Sequence, residues 1–216
     1  MVKATMSNKT ELTTDDLFTA EEQEAMLSTA LKKAKLGRTR YSFGRHTNLM
    51  ITHLLLRTGL RATELCSVTI SQAKKGVAKG EFSLIGKGAL HTNDPIKKKK
   101  ATRQVVIPTE LQAMIASYLE KREQQYSTSN ALFIGRNGQP FTRFSLWHRV
   151  KTIQKQSGIE DTKRTHSFRH TYGQKCYELS KDILTTSALM GHKSTITTQI
   201  YVKATDKAKR NLVEML

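Results

Sequence analysis

Proline is rare in this chain, and its scarcity restricts the possible folds. Only three prolines, Pro95, Pro108 and Pro140, occur in 216 residues. A proline inside a helix removes a backbone hydrogen bond and breaks the helix, so the long proline-free stretches are compatible with helices. The sequence contains no internal repeat and no linker rich in Pro, Gly or Ser. These features predict one compact, mostly helical domain.

Apolar residues recur at helical spacing along most of the chain. Gly59 and Gly158 follow two of the periodic segments and are expected to end those helices. Thr109 and Gln112 are spaced as a capping box at the start of another helix. The helices that we expect are Thr19–Lys35, Phe43–Thr58, one that starts over Ala62–Ser67, Pro108–Gln124, Phe144–Gln156, His166–Glu178, Ile183–Met190, Thr195–Tyr201 and Asp206–Leu216.

Two short runs rich in Val, Ile and Phe, Glu81–Ile85 and Arg103–Ile107, are typical of strands. A long basic loop, GKGALHTNDPIKKKKAT, separates them. The expected fold class is therefore mainly α with one small sheet (α+β). The first 16 residues are polar, and we expect a flexible tail ahead of a single domain that extends from residue 17 to residue 216.

The charge of the chain is strongly asymmetric. It carries 36 Lys and Arg against 18 Asp and Glu, a net charge of +18. Residues 1–30 hold two lysines and six acidic residues, so the remaining 186 residues hold 34 cations against 12 anions. Such a basic body predicts a polyanionic partner, in the first place nucleic acid. The alternative is that the charge serves solubility or a general affinity for nucleic acid.

The two cysteines and the apolar segments indicate a cytoplasmic protein. Cys66 and Cys176 lie 110 positions apart and form no CxxC pair, so neither a zinc site nor a disulfide framework is indicated. The N-terminal residues contain no apolar run typical of a signal peptide. The most apolar stretch, Leu49–Leu56, is interrupted by Thr52 and His53 and is too short to cross a bilayer.

Two pairs of polar residues recur at the same helical spacing. Arg61 and Glu64 lie in TGLRATEL, and His166 and Arg169 lie in THSFRHT. Residues at i and i+3 share one face of a helix. Each pair alone is compatible with an ordinary polar surface, and only the co-occurrence of the two pairs with other polar elements indicates a site.

The loop between the two strands is rich in lysine. Lys87 is flanked by Gly86 and Gly88, which allow a sharp turn that brings the ammonium near a ligand. A run of four lysines on the same loop could neutralise the phosphates of a DNA backbone. The run consists of Lys97, Lys98, Lys99 and Lys100. A solvated turn and a charged loop are the simpler interpretations.

A late tyrosine completes the set. Tyr201, in TTQIY, follows His192, in MGHKS, by nine residues. A tyrosine with apolar neighbours in a helix is usually a core residue. Together with two arginines, a lysine and a second histidine, however, it forms the set that breaks a phosphodiester without a metal: cations hold the phosphate, and the phenol attacks it.

The motifs TGLRATEL, IGKG, HSFRH, GHKS and TTQIY resemble those of the tyrosine recombinases, the phage integrase family, in order and in spacing. The resemblance extends from Leu17 to Leu216. It implies the mainly α catalytic domain of that family with its small antiparallel sheet. The implied activity is site-specific DNA recombination or integration, in which strands are cut and rejoined through a 3′-phosphotyrosyl intermediate without ATP.

The resemblance also implies a role for each candidate residue. Arg61 and Arg169 resemble the two arginines that hold the scissile phosphate, and Tyr201 matches the nucleophile. Two guanidiniums suit this role because each can donate two hydrogen bonds to non-bridging oxygens. A phenol with a pKa of about 10 is protonated at neutral pH, and nearby cations and a histidine acceptor would help it to lose its proton.

The other matches are supporting residues. Lys87 looks like the lysine that protonates the leaving 5′-oxygen, with the four lysines of the run as competitors for that role. His166 and His192 match the two histidines of the family, and Glu64 matches an acidic residue that supports the site. We expect no cofactor or metal, and the absence of a carboxylate cluster with ligand spacing disfavours a metal-dependent nuclease.

The implied partners are double-stranded DNA, further subunits in a synapse of four active sites and, as a further candidate, an accessory DNA-bending protein. The implied location is the bacterial cytoplasm at the nucleoid, without a membrane. Most relatives carry an N-terminal DNA-clamping domain, which we expect to be absent here, as in the short recombinases that invert promoter segments. The loop after Lys87 is also longer than usual. Asp206–Leu216 looks like a segment that docks into a neighbouring subunit, or else closes its own domain.

Two alternative functions share most of these features. A type IB topoisomerase uses the same chemistry to relax supercoils without sequence preference. A DNA-binding regulator would keep the fold without catalysis, although it would not need the tyrosine.

Overall fold

The computed structural model describes residues 12, 14–36, 42–85, 94, 96, 102–125, 128–160, 163–192, 194–202 and 213–214. These form helices α1 (Ala20–Lys35), α2 (Ser42–Thr58), α3 (Ala62–Ser67), α4 (Ile70–Lys79), α5 (Thr109–Glu123), α6 (Arg143–Gln156), α7 (Thr165–Ser180) and α8 (Ile183–Met190). The strands are β1 (Glu81–Ile85) and β2 (Thr102–Val106), and Thr14–Asp16 and Thr195–Tyr201 are 3-10 helices.

The expected fold class is confirmed. β1 and β2 pair antiparallel, with Phe82 opposite Val105 and Leu84 opposite Arg103. Directly opposed residues share a face of the sheet, and Phe82, Leu84 and Val105 are all buried on this face. Arg103 therefore enters the structure from the apolar side of the sheet.

Helix α2 lies at the centre of the domain, where it packs against α1, α5, α6 and α7. Its sequence is apolar over a broad face, and Ile51, Leu54 and Leu55 are fully or almost fully buried. Burial of each such side chain contributes about 1.5–3 kcal/mol. This packing fixes the C-terminal end of α2, from which the chain turns towards the candidate site.

Helix ends follow local capping chemistry, with one wrong prediction. Thr19 caps α1 through a capping box with Glu22. The capping box predicted at Thr109 and Gln112 is absent, because Pro108 occupies the N-cap position of α5 and makes no side-chain cap bond. Gln112 instead donates its side-chain amide to the carbonyl of Ile107 over 2.8 Å.

Helix α4 was not predicted from periodicity. Its sequence does carry a helical pattern, because Ile70, Ala73 and Val77, which contact the core, recur at spacings of three and four residues. A second signal lies at its start, where Thr69 and Gln72 form a capping box. A Cβ on Gly76 would lie 2.6 Å from the ring of Phe82, so α4 approaches β1 closely at this glycine.

A small second cluster of buried apolar residues consists of Leu12, Met190 and Tyr201. Two features thus give structure to the segment expected to be a tail, since Leu12 is buried and Thr14–Asp16 forms a 3-10 helix. The predicted Thr195–Tyr201 helix is present as a 3-10 helix, which Ser194 caps. The predicted helix Asp206–Leu216 lies outside the described residues except for residues 213–214.

Candidate active site

The turn after α2 provides the first part of the site. Gly59 has a positive φ of 59°, and a Cβ at this position would lie 2.3 Å from the ring of Tyr172. Glycine is therefore required for this turn. The turn places Arg61 at the N-cap of α3 and directs the carbonyl of Gly59 at Arg169, which donates to it from Nη1 over 2.6 Å.

Glu64 is fully buried between two arginines. It accepts from the backbone N–H and from Nη1 of Arg61, each over 2.8 Å. Arg103 donates from Nε and Nη2 to the two carboxylate oxygens over 3.0 and 2.8 Å. Burial alone would raise the pKa of Glu64, but hydrogen bonds and charge from the arginines lower it to about 2.

The two predicted phosphate-binding arginines meet at the C-terminal end of α8. Arg169 is 2% exposed and also donates to the carbonyl of Met190. Arg61 donates from Nη2 to the carbonyl of the next residue, Gly191, over 3.3 Å. Burial lowers the pKa of Arg169 to about 10, with a further contribution from Arg61 and Arg103. Its guanidinium therefore remains charged at neutral pH.

His192 directly follows Gly191, the residue that ends α8. Its Nδ1 lies 2.8 Å from the hydroxyl of Thr198, a fully buried residue of the second 3-10 helix. Burial lowers the pKa of His192 to about 4, and the positive charges of Arg169 and Arg61 contribute. The imidazole is therefore uncharged at neutral pH, with its ring orientation set by Thr198.

Tyr201 is 1% exposed and lies parallel to His192, with ring centroids 6.5 Å apart. Its other neighbour is the backbone of α7 at Gly173, where a Cβ would lie 2.5 Å from Cζ of the phenol. The hydroxyl is 3.3 Å from Nδ1 of His170. Burial raises the pKa of Tyr201 to about 12, although the charge of Arg169 opposes this effect. The phenol is accordingly protonated at neutral pH.

His166 lies in the first turn of α7, and its side chain is exposed. Its ring meets that of His170 edge to face, with centroids 4.4 Å apart. Desolvation lowers the pKa of His166, and the charges of Arg169 and Arg61 lower it further. His166 thus reaches Tyr201 through His170 in this arrangement.

The structure brings together most of the residues selected from the sequence: Arg61, Glu64, His166, Arg169, His192 and Tyr201.

The lysines selected from the loop between the strands are not part of this arrangement, because they lie outside the described residues. The structure therefore does not test the role predicted for a leaving-group lysine or for a DNA-binding run. These residues are Lys87, Lys97, Lys98, Lys99 and Lys100.

Two residues of the site were missed. Arg103 could have been noticed because it alternates with Val105 along the strand and so falls on the same face, and His170 follows Arg169 directly in FRHT. Within the described ranges, no three His, Cys, Asp or Glu side chains are placed to share a metal ion.

The sequence pattern of the phage integrase family extends over residues 17–208 of this chain. The chain belongs to the phage integrase family. Tyrosine recombinase XerD of Listeria monocytogenes (serotype 4b) is 31% identical to it over 157 residues, which cover 70% of this chain and 48% of XerD. The chain spans about half the length of the curated relatives it matches.

Solved structures of the family share the fold. XerH site-specific recombinase, in a pre-cleavage complex with its difH substrate, superposes with a TM-score of 0.71 at 21% identity and covers 95% of this chain and 55% of XerH. The Tn1549 transposon integrase in complex with circular intermediate DNA gives a TM-score of 0.71 at 19% identity, over 94% of this chain and 68% of the integrase. In the described part of this family member, no helix has the length and apolar character to cross a bilayer.

Proposed function

We propose that this member of the phage integrase family cuts and rejoins DNA strands at specific sites through a 3′-phosphotyrosyl intermediate. The observation that carries the proposal is the meeting of Arg61, Arg169 and His192 at one turn, beside the phenol of Tyr201. The net charge of +18 supports DNA as the substrate.

Arg61 and Arg169 are proposed to hold the scissile phosphate. Arg61 and Arg103 pair with the single carboxylate of Glu64, and Arg169 lies near enough to interact with it electrostatically, so the three guanidiniums leave two positive charges in excess over this carboxylate. A phosphodiester carries one negative charge and accumulates more on its oxygens during in-line attack. Preorganised cations lower the energy of that state more than that of the ground state.

In the proposed reaction, the phenolic oxygen of Tyr201 attacks phosphorus and the bond from phosphorus to the 5′-oxygen breaks. The phenolic proton leaves to a histidine, for which His170 is the ring in contact with the hydroxyl. The 5′-oxygen takes a proton from a cationic donor, the role proposed for Lys87. The phosphotyrosyl ester retains the bond energy, so attack by a 5′-hydroxyl of another strand reseals the DNA.

His192 is proposed to donate a hydrogen bond to the phosphate from its uncharged ring. Because Nδ1 faces the hydroxyl of Thr198, the opposite nitrogen, Nε2, is the one directed away from that contact. A neutral donor stabilises negative charge without the desolvation cost of another cation.

Assembly is proposed to occur on DNA. Exchange between two duplexes requires four active sites, so we propose a synapse of four subunits, with an accessory DNA-bending protein as a candidate component in the bacterial cytoplasm at the nucleoid. The relatives XerH and the Tn1549 integrase were each solved with DNA, which supports a DNA substrate here.

The test is covalent capture. Cells that express the protein are lysed in denaturant, protein-linked DNA is recovered and sequenced, and the mapped junction is rebuilt as a nicked duplex that traps the adduct. We expect a covalent adduct with the wild type in the presence of EDTA and none with Tyr201→Phe, which should still bind the duplex. Tyr177→Phe, which changes another tyrosine next to the same cluster, is the matched control and should form the adduct.

Other outcomes distinguish the alternatives. Relaxation of supercoiled plasmids that lack the mapped junction would identify a topoisomerase. Specific binding without an adduct on any nicked substrate would identify a DNA-binding regulator.

A further inference from the structure

Arg103 is a charged residue on the buried face of the sheet. It lies opposite Leu84 in the register of β1 and β2, on the face that carries Phe82 and Val105. Its side chain is 12% exposed. Charged side chains are rarely buried unless they are paired, so the partners of this guanidinium indicate its purpose.

The guanidinium connects three elements of the fold. Nε and Nη2 of Arg103 on β2 donate to the two oxygens of Glu64 on α3. Nη1 donates to the carbonyl of Leu189 on α8 over 3.2 Å. Each of its three nitrogens thus donates to another part of the protein. Glu64 belongs to the candidate site, and Leu189 directly precedes Met190, whose carbonyl binds Arg169.

Glu64 depends on this arrangement. Each of its carboxylate oxygens accepts one bond from Arg61 and one from Arg103. A buried carboxylate with unfilled acceptor positions is costly. Without Arg103, Glu64 would lose half of these bonds and the strongest cause that lowers its pKa.

The chain also makes room for the Arg103 side chain. A Cβ on Gly191 would lie 2.5 Å from Cδ of Arg103, and Gly191 has a positive φ of 60°. The aliphatic stem therefore passes directly over the turn whose carbonyl binds Arg61. A shift of this stem would be transmitted to the turn that carries His192.

We propose that Arg103 is a positioning residue for the strand transfer proposed above. It holds Glu64 in the ionised form that orients Arg61, and it holds the end of α8 that carries His192. Arg103 acts through these groups because its own nitrogens are committed to Glu64 and Leu189. The proposal rests on the proposed function.

The variants are chosen to separate positioning from folding. Arg103→Lys keeps the charge but has no planar fork with which to bind both oxygens of Glu64. Arg57→Lys is the matched control, since Arg57 also pairs with a glutamate, Glu110, at 2.7 Å but on the surface. If Arg103→Lys does not fold, the double variant Glu64→Gln with Arg103→Gln removes both buried charges and leaves hydrogen-bonding groups in place.

Single-turnover adduct formation is measured on the mapped nicked duplex with a normal scissile phosphate and with a neutral methylphosphonate. We expect Arg103→Lys to slow the reaction on the normal phosphate by about 100-fold, the effect of a displacement of about 1 Å in a catalytic group. On the neutral linkage the loss should fall below about 10-fold, because a misplaced Arg61 matters less when no phosphate charge is present. Arg61→Lys should show the same pattern, and Arg57→Lys should match the wild type.

A second measurement is the combination of Arg103→Lys with Arg61→Lys. If Arg103 acts through Arg61, the double variant should lose much less than the product of the two single losses. Multiplicative losses, equal losses on both linkages, or no loss at all would overturn the proposal. A wild type that forms no adduct would instead overturn the proposed function, so the two failures are distinguishable.

Discussion

The two halves of the candidate site are held in different ways. The arginine side is a saturated network in which Glu64 accepts four hydrogen bonds and the guanidiniums bind backbone carbonyls. The tyrosine side is held mainly by packing, since Tyr201 lies on a 3-10 helix against Gly173, and its hydroxyl is 3.3 Å from Nδ1 of His170. The half proposed to bind the phosphate is therefore preorganised, whereas the proposed nucleophile is buried and protonated.

The largest expected effect comes from the arginine side. Arg169→Ala removes a buried cation and leaves the carbonyls of Gly59 and Met190 without their donors. We expect adduct formation to fall by about 1,000-fold or more, the range found for an arginine that stabilises transferring phosphoryl groups. Single-turnover assays on the nicked duplex measure this loss. Arg57→Ala, which changes a surface arginine, should retain the wild-type rate. An Arg169→Ala variant with the wild-type rate would show that the arginine side of the site is not needed for the reaction.

Glu64 should give the protein an acid-sensitive component of stability. The pKa of Glu64 is about 2 in the folded state against an ordinary value of 4.5, so the ionised form stabilises the fold above pH 4.5 and this contribution is lost as the pH falls towards 2. The shift corresponds to about 3 kcal/mol. Urea unfolding from pH 7 to pH 3 should show about 2 kcal/mol of this loss in the wild type, because pH 3 lies between the two pKa values.

The variant Glu64→Gln isolates this effect. It should be less stable by about 3 kcal/mol at pH 7, because Arg61 and Arg103 lose their counter-ion. Between pH 7 and pH 3, its loss of stability should be smaller than that of the wild type by about 2 kcal/mol. An unchanged dependence would show that Glu64 is not the titrating group.

Gly173→Ala tests the packing that holds the tyrosine. The new Cβ would lie within 2.5 Å of the phenol, so the ring must move, at an expected cost of about 1–3 kcal/mol. As burial is the main cause of the raised pKa, displacement should bring the pKa of Tyr201 back towards its ordinary value of 10. Nitration by tetranitromethane, followed by mass spectrometry, should therefore modify Tyr201 faster than in the wild type.

Gly44→Ala is the matched control for this experiment, since it adds the same methyl group to a helical glycine whose nearest contact would be an ordinary 3.4 Å. It should leave nitration of Tyr201 unchanged. Equal nitration in Gly173→Ala and wild type would mean that Gly173 does not hold the ring.

The smallest expected effect concerns His192. Thr198→Val keeps the shape of a buried side chain but removes the hydroxyl that faces Nδ1. The lost hydrogen bond is worth about 1 kcal/mol, so we expect the adduct rate to fall by about 5-fold while binding of the duplex is retained. Thr197→Val, an exposed neighbour, should have the wild-type rate.

Local patterns predicted most of the helices well. The bounds of α8 were predicted as Ile183–Met190 and confirmed, and both ends follow local chemistry, since Asp182 caps the start and Gly191 ends the helix in the left-handed conformation. Helix α4 was missed although Ile70, Ala73 and Val77 recur at helical spacing and contact the core. The capping box at Thr109 was wrong because Pro108 takes the N-cap position and the helix begins one residue earlier than that pattern required.

The candidate residues were identified from their order in the sequence and from their chemistry. Their arrangement in space could not be predicted in this way. Arg103 was missed because its importance depends on the register of β2 and on the position of α3, neither of which a single sequence pattern encodes. The loop lysines remain predictions from the sequence, namely Lys87, Lys97, Lys98, Lys99 and Lys100.

The amino-acid sequence alone determined the helical character, the positive charge and the set of side chains able to act on a phosphodiester, because these depend on residue type and on spacing over one or two turns. Tertiary structure alone decided that Glu64 is shared by two arginines and that Tyr201 is buried. These properties depend on contacts between residues far apart in the chain, 39 positions for Glu64 and Arg103, 110 for Gly59 and Arg169 and 130 for Arg61 and Gly191. Only the packing of the helices brings such residues together.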